Sequence, residues 1–419
     1  MTLWSGFSAL SGLVGALAVP TGLLTGYLGA LTALSAPIEP PKASDKPFRF
    51  RFIVPAHNES AGITETVRSL LAVDYPKEWF DVCVVADNCR DDTAEKARAA
   101  GANVLVRNDT KLRGKGYALE YAFERLEPEI DAAVVIDADT LVSKNILSAF
   151  AARLAIGAQA VQADYAVRNP EASWRTRLVA IAFGSFHVVR SRGRERLGLS
   201  CGLRGNGMCF ARDLLQRIPH RAYSLVEDVE YGIRLGKAGQ RVHYADEAHV
   251  YGEMVSNATA ARSQRKRWEE GRSGILREHL AALLKGGLLE RDKVKLDLAM
   301  DLLVPPLSRI VTGVGAGLAG SFVLLWVAPP AGLLGLGLFG TQAALIGAYV
   351  ARGWALSNTG VGGLLSLGAA PVYMLWKLTL REKRKATQSE EWIRTTRESN
   401  GQSGRVSSAA AAASGSSMS

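Results

Sequence analysis

The sequence predicts an α/β domain with a mostly parallel sheet, together with transmembrane and interfacial helices. Short apolar strands alternate with helices through the middle of the chain, which is typical of a parallel sheet with helices on both faces. Uncharged apolar stretches at residues 10–34 and 311–350 are long enough for one and two membrane spans, respectively. We therefore expect the 419 residues to combine a soluble domain with a membrane region.

The hydropathy pattern divides the chain into five segments. We expect an N-terminal transmembrane anchor over residues 1–36, a soluble α/β domain over 48–272, amphipathic interface helices over 273–300, a C-terminal membrane region over 301–380, and a basic, partly disordered tail over 381–419. Basic residues follow the anchor closely, so the positive-inside rule places the α/β domain in the cytosol. The expected location is the plasma (inner) membrane, crossed several times.

The C-terminal region contains a proline pair and a short glycine-rich stretch. Pro305-Pro306 predicts a kink near the membrane surface. Residues 361–376 are only just long enough to cross, and a crossing would place the basic residues after them outside. We therefore favour a re-entrant or interfacial placement for this stretch.

The net charge of +10 is expected to lie close to the membrane rather than on a nucleic acid. No basic stretch is interleaved with stacking aromatic residues, so nucleic-acid binding is excluded as a function class. The cysteines Cys83, Cys89, Cys201 and Cys209 show no Cys-x-x-Cys spacing, which predicts neither disulfides nor structural zinc.

An acidic pair directly follows the most apolar strand of the middle region. Val134 to Ile136 are apolar, and Asp137 and Asp139 come next. Alternate residues of an extended chain point the same way, so both carboxylates can face one cleft. Adjacent negative charges favour a bound cation, and oxygen ligands favour Mg²⁺ or Mn²⁺ carrying a diphosphate. The alternative is a solvated acidic turn.

Polar residues also follow the first two strands. The first strand ends at Pro55 and is followed by Ala56-His57-Asn58-Glu59, and the second ends near Asp87. Ligands of open α/β sheets bind at this edge. Neither a Gly-x-Gly-x-x-Gly motif after the first strand nor a Walker lysine motif is present, which argues against dinucleotide cofactors and P-loop ATP hydrolysis.

Three further motifs occur later in the chain. The turn from Arg204 to Met208 contains glycines that allow a close approach of the backbone to a ligand. Glu227-Asp228 opens a helix, and Gln264-x-x-Arg267-Trp268 places an amide and a guanidinium on one helix face with an indole beside them. Alone, these motifs also fit a hairpin turn, a helix-dipole complement and a basic membrane-surface helix.

In this order, the motifs resemble those of membrane-bound family 2 glycosyltransferases, the group of cellulose, hyaluronan, chitin and poly-N-acetylglucosamine synthases. The resemblance runs from about residue 49 to the C-terminal membrane region, and Gln264-x-x-Arg267-Trp268 is its most specific motif. It implies a GT-A fold, a nucleotide-sugar-binding α/β domain. Val226 stands where the family has a threonine, and the chain has fewer clear spans than the best-known processive synthases.

The resemblance also implies roles for individual residues. Asp228 is the expected catalytic base, and Asp139 with Asp137 the expected metal site for Mg²⁺ or Mn²⁺. Donor binding is expected from Ala56, Asn58, Glu59, Asp87, Lys115, Asp137, Gln264 and Arg267. Acceptor binding is expected from Trp268, Arg204, Gly205, Asn206 and Glu227.

The expected function is an inverting, metal-dependent β-glycosyltransferase that uses UDP-glucose or UDP-N-acetylglucosamine to extend a polysaccharide at the membrane. The alternative is transfer of a single sugar to a lipid acceptor, diacylglycerol or polyprenyl phosphate. A silent nucleotide-binding protein and a nucleotidyltransferase are weaker alternatives, because they leave the complete motif set or the Gln-x-x-Arg-Trp motif without a role. Expected partners are the UDP-sugar, a glycan or lipid acceptor, the membrane, and either an oligomer or envelope export components.

Overall fold

The protein is described by a computed structural model over residues 2–254 and 258–371, with side chains described over 8–254 and 271–371. The strands in these ranges are β1 (Phe50–Ala56), β2 (Phe80–Asp87), β3 (Asn103–Arg107), β4 (Ala132–Val135), β5 (Thr140–Val142), β6 (Ala160–Val167), β7 (Met208–Ala211) and β8 (Val242–Gly252).

The helices surround the resulting sheet and continue into the C-terminal region. They are α1 (Thr2–Ala33), α2 (Ile63–Leu71), α3 (Thr93–Ala99), α4 (Lys115–Phe123), α5 (Ile146–Ala155), α6 (Trp174–Phe183), α7 (Arg190–Arg196), α8 (Arg212–Arg217), α9 (Glu227–Lys237), α10 (Ala258–Leu289), α11 (Lys293–Leu303), α12 (Leu307–Val327), α13 (Pro329–Leu356) and α14 (Gly360–Leu367). A π-helical segment, Gly184–Val189, joins α6 to α7.

All strands belong to one sheet with the order β3-β2-β1-β4-β7-β6-β8-β5. The strands β3, β2, β1 and β4 are parallel to one another, whereas β7 is antiparallel to both β4 and β6. In the remaining part, β8 is parallel to β6 and antiparallel to β5. The predicted mostly parallel sheet is confirmed, and the carboxyl ends of β1, β2 and β4 meet at one edge, where such sheets bind ligands.

The sheet is buried on both faces. Alternate residues of β1 contribute to different cores: Phe52 and Val54 pack with residues of α2 and α5, whereas Ile53 packs with Leu119 of α4 and Tyr231 of α9. Because neither face meets solvent, β4 and residues 52–56 of β1 are continuous apolar runs rather than alternating ones. Packing in the two cores fixes the strand ends, and the strand ends in turn position the polar residues that follow them.

Three helices of the described residues are long and apolar enough to cross a membrane: Ser8–Ala33 within α1, then α12 and α13. They match the one span before the α/β domain and the two after it that the sequence predicts. Both α1 and α12 lie against α13, and Val14, Val314 and Phe339 are buried together between them. The N-terminal and C-terminal helices thus form a single bundle.

The prolines at positions 305 and 306 separate two helices, where the sequence predicted a kink. The helix α11 ends at Leu303 and α12 begins at Leu307. Proline lacks an N–H donor and restricts the residue before it, so two in succession end a helix. Beyond α14, residues 372–376 and the tail at 381–419 lie outside the described residues, and their predicted placement stays a prediction.

The helix α10 continues through 32 residues and contains the first part of the predicted interface segment. In its second half, Ile275 and Leu283 are buried within the protein. They pack with Val226 before α9 and with Leu298 of α11. Contact of residues 273–300 with a membrane surface stays a prediction, since these apolar side chains already have protein neighbours.

Candidate active site

The loop after β1 is bonded to the loop after β2. The Asn58 amide oxygen accepts from the backbone N–H of Arg90 at 2.8 Å, and the backbone N–H of Glu59 donates to Thr93 Oγ1 at 2.9 Å. Asn58 has φ of 57°, a left-handed conformation that asparagine tolerates better than most residues. Ala56, Asn58 and Glu59, all predicted to bind the donor, therefore form one fixed loop at the ligand-binding edge.

Asp87 closes the same edge at the end of β2. It is 1% exposed, and its Oδ1 accepts from Arg107 Nη1 at 2.6 Å and from Asn88 Nδ2 at 3.1 Å. Burial raises the pKa of Asp87, and the bond from Arg107 opposes that rise. Sequence analysis assigned Asp87 to the donor site but missed Arg107, which lies in β3 and compensates its charge.

The acidic pair after β4 is arranged as the alternation predicts. Asp137 and Asp139 are partly exposed, whereas Ala138 between them is buried. The carbonyl of Ala138 accepts from Thr66 Oγ1 at 2.9 Å, and Asp139 Oδ1 accepts from Thr140 Oγ1 at 3.3 Å. Side chains of α2 and β5 thus hold the segment so that both carboxylates point away from the core.

Lys115 stands at the centre of the candidate site. Its Nζ donates to Asp137 Oδ1 at 2.6 Å and to the carbonyl of Gly205, and it lies 3.5 Å from Glu227 Oε1. Burial alone would lower the pKa of Lys115, but Asp137 and Glu227 outweigh it and raise the pKa. One ammonium therefore connects the predicted donor and acceptor residues.

The glycine-rich turn contacts both the lysine and the predicted base. Gly205 has φ of 76°, which favours glycine, and a Cβ there would lie 3.4 Å from Asp228 Oδ2 and 3.6 Å from Lys115 Nζ. Gly207, with φ of 69°, has no space for a side chain, because its Cβ would lie 2.9 Å from Val250 Cγ1. The absence of a side chain at Gly205 therefore lets the backbone of the turn lie close to Asp228 and Lys115.

Asn206 is fully buried and fixes this turn to the acidic pair. Its Oδ1 accepts from the backbone N–H of Asp137 at 3.1 Å, and its Nδ2 donates to Thr140 Oγ1 at 2.8 Å. Gln162, which sequence analysis missed, donates to the Asn206 carbonyl at 2.7 Å and accepts from the backbone N–H of Arg204 at 2.9 Å. Acceptor contact by Asn206 stays a prediction, while its described bonds position the acidic pair.

Glu227 and Asp228 occupy the first turn of α9. Burial raises the pKa of both carboxyl groups, and Lys115 opposes the rise in each case. A carboxyl group with a raised pKa is a better proton acceptor than an ordinary one. The geometry therefore suits the role of base that the family resemblance implies for Asp228.

The side chain of Arg204 packs against an aromatic ring. Its guanidinium lies over Phe186 with 4.2 Å between Cζ and the ring centroid, and Nη2 donates to the carbonyl of Cys201 at 2.9 Å. The predicted acceptor residues Arg204, Gly205 and Glu227 thus flank Asp228 and Lys115. Their contact with an acceptor stays a prediction.

Three predicted residues lie outside the part of the chain whose side chains are described. Gln264, Arg267 and Trp268 are in the first half of α10, which begins shortly after β8. Their predicted roles at the diphosphate and the acceptor stay predictions.

A divalent metal has one candidate site among these residues. No group of three or more His, Cys, Asp or Glu side chains suited to a metal occurs in the described residues. The pair Asp137 and Asp139 supplies only carboxylate oxygens, and Mg²⁺ is commonly held by one or two carboxylates together with substrate phosphates and water. The donor set therefore fits a metal that arrives with a diphosphate rather than a closed protein cage.

The fold and the acids at its strand ends define a GT-A-type domain. The structure is similar to the mannosyltransferase PcManGT from Pyrobaculum calidifontis, which was crystallised with GDP-Man and Mn²⁺. The TM-score is 0.54 at 19% sequence identity, and the match covers 84% of this chain and 99% of that one. This likeness confirms the predicted GT-A fold.

Residues 47–271 match the family described as glycosyltransferase like family 2. This match covers more than half of the chain, and the protein belongs to that family, as the motifs predict. Its relatives include the probable glycosyltransferase YdaM of Bacillus subtilis, 25% identical over 59% of this chain and 60% of that protein.

Two other relatives have different products in their names. A beta-monoglucosyldiacylglycerol synthase of Trichormus variabilis is 29% identical over 64% of this chain and 59% of that protein. A hyaluronan synthase of Streptococcus pyogenes is 28% identical over 30% of this chain and 31% of that protein. The chain thus spans about 60% of the length of the longer-matching relatives.

Proposed function

We propose that the protein is an inverting β-glycosyltransferase that moves a sugar from a nucleoside diphosphate sugar to an acceptor hydroxyl at the membrane. The observation that supports this most is the approach of Asp228 to the glycine turn and to Lys115, which itself bonds to Asp137. A base for the acceptor and an acidic pair for the donor thereby lie on either side of one lysine.

The reaction follows from these positions. The acceptor hydroxyl attacks the anomeric carbon, and Asp228 takes its proton. The bond from that carbon to the diphosphate oxygen breaks, and the nucleoside diphosphate leaves with the bonding electrons. One displacement inverts the anomeric configuration, so no second carboxylate is needed as a covalent nucleophile.

We infer that a divalent ion, Mg²⁺ or Mn²⁺, binds with the donor at Asp139 and Asp137. When bound, such an ion stabilises negative charge on the leaving diphosphate. Lys115 already bonds to Asp137 and supplies positive charge beside it, so it limits the repulsion between the acidic pair and the diphosphate. Gln264 and Arg267 are proposed to contact the diphosphate, and Trp268 the acceptor sugar or lipid.

The acceptor has two candidates. Sequence analysis favoured a growing polysaccharide, and the hyaluronan synthase relative agrees with that choice over 30% of the chain. The lipid glucosyltransferase relative matches over 64% of the chain, which supports the alternative, transfer of a single sugar to a lipid. We propose the lipid acceptor first and keep polysaccharide extension as the second candidate.

The proposed location is the cytosolic face of the plasma membrane, with the GT-A domain in the cytosol. Basic residues directly after α1 support this orientation, because such residues are retained on the inner side. The donor is proposed to be a UDP-sugar, UDP-glucose or UDP-N-acetylglucosamine, since nucleotide sugars are cytosolic substrates for a domain on that side.

A panel of radiolabelled nucleotide sugars tests the proposal. Purified protein in vesicles of membrane lipid is incubated with each donor, and the labelled product is extracted and sized over time. A labelled lipid of constant size supports single transfer, and a product that lengthens with time supports polysaccharide extension. If no donor yields a labelled product or a released nucleoside diphosphate above the level of Asp228→Asn, the proposed activity is wrong.

A further inference from the structure

A cluster of mostly buried ionic residues lies where the GT-A domain meets the candidate membrane helices. We call it the junction cluster, and it consists of Arg190 and Arg194 of α7, Arg272 of α10, and Asp297 and Asp301 of α11. Two membrane helices bond to it: Tyr27 of α1 donates to Asp297 Oδ1 at 2.9 Å, and Arg190 Nε donates to the Tyr349 hydroxyl of α13 at 3.0 Å.

Both carboxylates of the junction cluster are already used by its three arginines. Asp301 lies 3.1 Å from Arg190, 3.6 Å from Arg194 and 3.8 Å from Arg272. Asp297 Oδ2 lies 2.9 Å from Arg194 Nε, although the two atoms are not aligned for a hydrogen bond. Each carboxylate therefore already has an arginine within 4 Å before a fourth arginine is counted.

Arg204 is that fourth arginine. It shares Phe186 with the cluster, since the guanidiniums of Arg204 and Arg190 lie 4.2 and 4.8 Å from the centroid of that ring. Arg204 forms no ion pair within 4 Å of a carboxylate in the described residues, and its buried Nε has no hydrogen-bond partner among them. Four guanidiniums are thus gathered around two carboxylates.

Such an excess of positive charge is costly in a protein interior. A buried charge without a partner is strongly destabilising. Burial lowers the pKa of Arg204, and Arg194 and Arg190 add to that effect, while Asp301 opposes it. Buried charges without a partner occur mainly at functional sites, where a bound ligand of opposite charge can compensate them. The chemistry that would restore it here is an anion that accepts several N–H bonds, as phosphate does.

The location of Arg204 indicates what carries that phosphate. Arg204 directly precedes Gly205, the glycine beside Asp228 Oδ2, so a group bound by its guanidinium is close to the proposed base. On the other side, the junction cluster bonds to α1 and α13 through Tyr27 and Tyr349. Arg204 is therefore linked to the proposed base through Gly205 and to the membrane helices through the junction cluster.

We propose that Arg204 and the adjoining junction cluster bind a phosphate group of the lipid acceptor, next to the hydroxyl that receives the sugar. This inference rests on the proposed function and narrows its acceptor to phosphate-bearing lipids with a free hydroxyl. The phosphate is a recognition group and remains intact. The acceptor O–H bond breaks, its proton goes to Asp228, the new bond forms to the anomeric carbon, and the nucleoside diphosphate leaves.

The first test compares lipid acceptors in the full-length protein. Transfer from labelled donor is measured in phosphatidylcholine vesicles that contain increasing fractions of either phosphatidylglycerol, which has phosphate and free hydroxyls, or diacylglycerol, which has a hydroxyl alone. We expect phosphatidylglycerol to be the better acceptor. Arg204→Gln should raise its half-saturating fraction about 10- to 100-fold, as for loss of a hydrogen bond to a charged group, and Arg204→Lys should recover part of this loss.

Donor affinity, measured by calorimetry with UDP, distinguishes a role in acceptor binding from a role in donor binding and from a loss of folding. An acceptor role predicts that Arg204→Gln leaves donor affinity unchanged, which also shows that the variant is folded. Arg217→Gln, on the exposed surface of α8, is the matched control and should change neither quantity. Equal use of both lipids by the wild type, or a loss of donor affinity in Arg204→Gln equal to its loss of transfer, would overturn the inference.

The second test uses soluble phosphates and does not depend on transfer. Inorganic phosphate and glycerol 1-phosphate should raise the Tm of the wild type and leave that of Arg204→Gln unchanged. If they do so but no lipid is glycosylated, the anion site stands and the proposed function is wrong. If transfer to diacylglycerol proceeds and neither phosphate shifts the Tm, the function stands and the phosphate site is wrong. Glycosylation of glycerol 1-phosphate as readily as of phosphatidylglycerol would contradict the lipid as the source of the phosphate.

Discussion

Two ionic groups of the protein have opposite imbalances of charge. At the candidate active site, one lysine, Lys115, serves Asp137 and Glu227 and lies close to Asp228. At the junction cluster and Arg204, four arginines surround two aspartates. The first group has too little positive charge and the second has too much.

This difference indicates which ligand each group takes. A deficit of positive charge among oxygen ligands is corrected by a metal cation, whereas a surplus of guanidinium is corrected by an anion. Because the turn from Arg204 to Gly205 belongs to both groups, the two ligands are expected to meet there. The metal belongs to the donor and the anion to the acceptor.

Removal of the proposed base at the candidate active site should have the largest effect. Asp228→Asn keeps the shape of the side chain but cannot accept a proton, so transfer should fall by about 10²- to 10⁴-fold. Donor binding should persist, since Asp137 and Asp139 are unchanged. Rate by labelled-sugar incorporation and donor affinity by calorimetry give the two values, and Asp213→Asn on the surface of α8 is the control. Near-normal turnover of Asp228→Asn would show that another group is the base.

Loss of a carboxylate from the junction cluster should have the next largest effect, on stability rather than rate. Asp301→Asn leaves Arg190, Arg194 and Arg272 with one partner fewer, and breaking a buried ion pair typically costs about 3–5 kcal/mol. Denaturant unfolding in detergent measures this loss. Asp292→Asn is the control on the same helix, because asparagine caps a helix as well as aspartate does, and an equal loss in both variants would rule out the ionic explanation.

The same variant predicts a pH dependence. Burial would raise the pKa of Asp301, but Arg194, Arg272 and Arg190 outweigh it and hold the pKa well below its ordinary value. A depressed pKa in the folded state adds stability above the ordinary carboxyl pKa of about 4, and this stability is lost as pH falls below that value. The stability difference between wild type and Asp301→Asn should therefore shrink in acid, and a constant difference from pH 6 to 3 would contradict this assignment.

Metal removal tests the proposed cation. Asp139→Ala should weaken metal-dependent donor binding by about 10-fold or more, because the diphosphate then faces the remaining carboxylates with less screening. EDTA should reproduce this loss in the wild type, and added Mn²⁺ or Mg²⁺ should reverse it. If wild-type transfer survives complete chelation, the metal role of Asp137 and Asp139 is wrong.

The smallest expected effect concerns the turn that belongs to both groups. Gly205→Ala and Gly239→Ala both place a side chain at a left-handed position, with φ of 76° and 75°, and each should cost about 1–2 kcal/mol of stability. Only Gly205 has site residues beside its Cβ position, whereas Gly239 has open space. Gly205→Ala should therefore lose about 10-fold in transfer, and equal activity of the two variants would show that Asp228 tolerates the methyl group.

Much of the fold could be predicted because apolar patterning is local. The continuous apolar runs at β1, β2 and β4 indicate strands buried on both faces, and the structure confirms them. The strand β8 was missed, although its burial alternates almost throughout Val242–Gly252. Its partly exposed positions carry histidine, glutamate and tyrosine, and a buried aspartate interrupts the apolar positions, so the period of two is not visible as a run of apolar residues.

The candidate site was predictable where a motif is contiguous and was missed where partners are distant in sequence. The shared direction of Asp137 and Asp139 could be predicted because alternate residues of an extended chain point the same way. The bond from Arg107 to Asp87 could not, because it joins two neighbouring strands. Gln162 did carry a signal, since it is a lone amide within an apolar strand, and such a buried polar group needs a partner.

The junction cluster carried a signal of the same kind. Arg190 and Arg194 are four residues apart, as are Asp297 and Asp301, and this spacing places each pair on one helix face. The sequence does not show that these faces of α7 and α11 meet, because the distance between the two helices depends on the loops and helices that connect them. Arg204 was identified as an acceptor residue only through the family resemblance.

The contacts between α1 and the C-terminal helices also determine when the membrane bundle can form during synthesis. Tyr27 bonds to Asp297, and the carbonyl of Ala18 accepts from Gln342, so these partners are made long after α1 leaves the ribosome. At about 5–20 residues per second, the wait is roughly 15–60 s. The GT-A domain emerges whole during that interval, so the bundle of α1 with α13 closes only after the domain is complete.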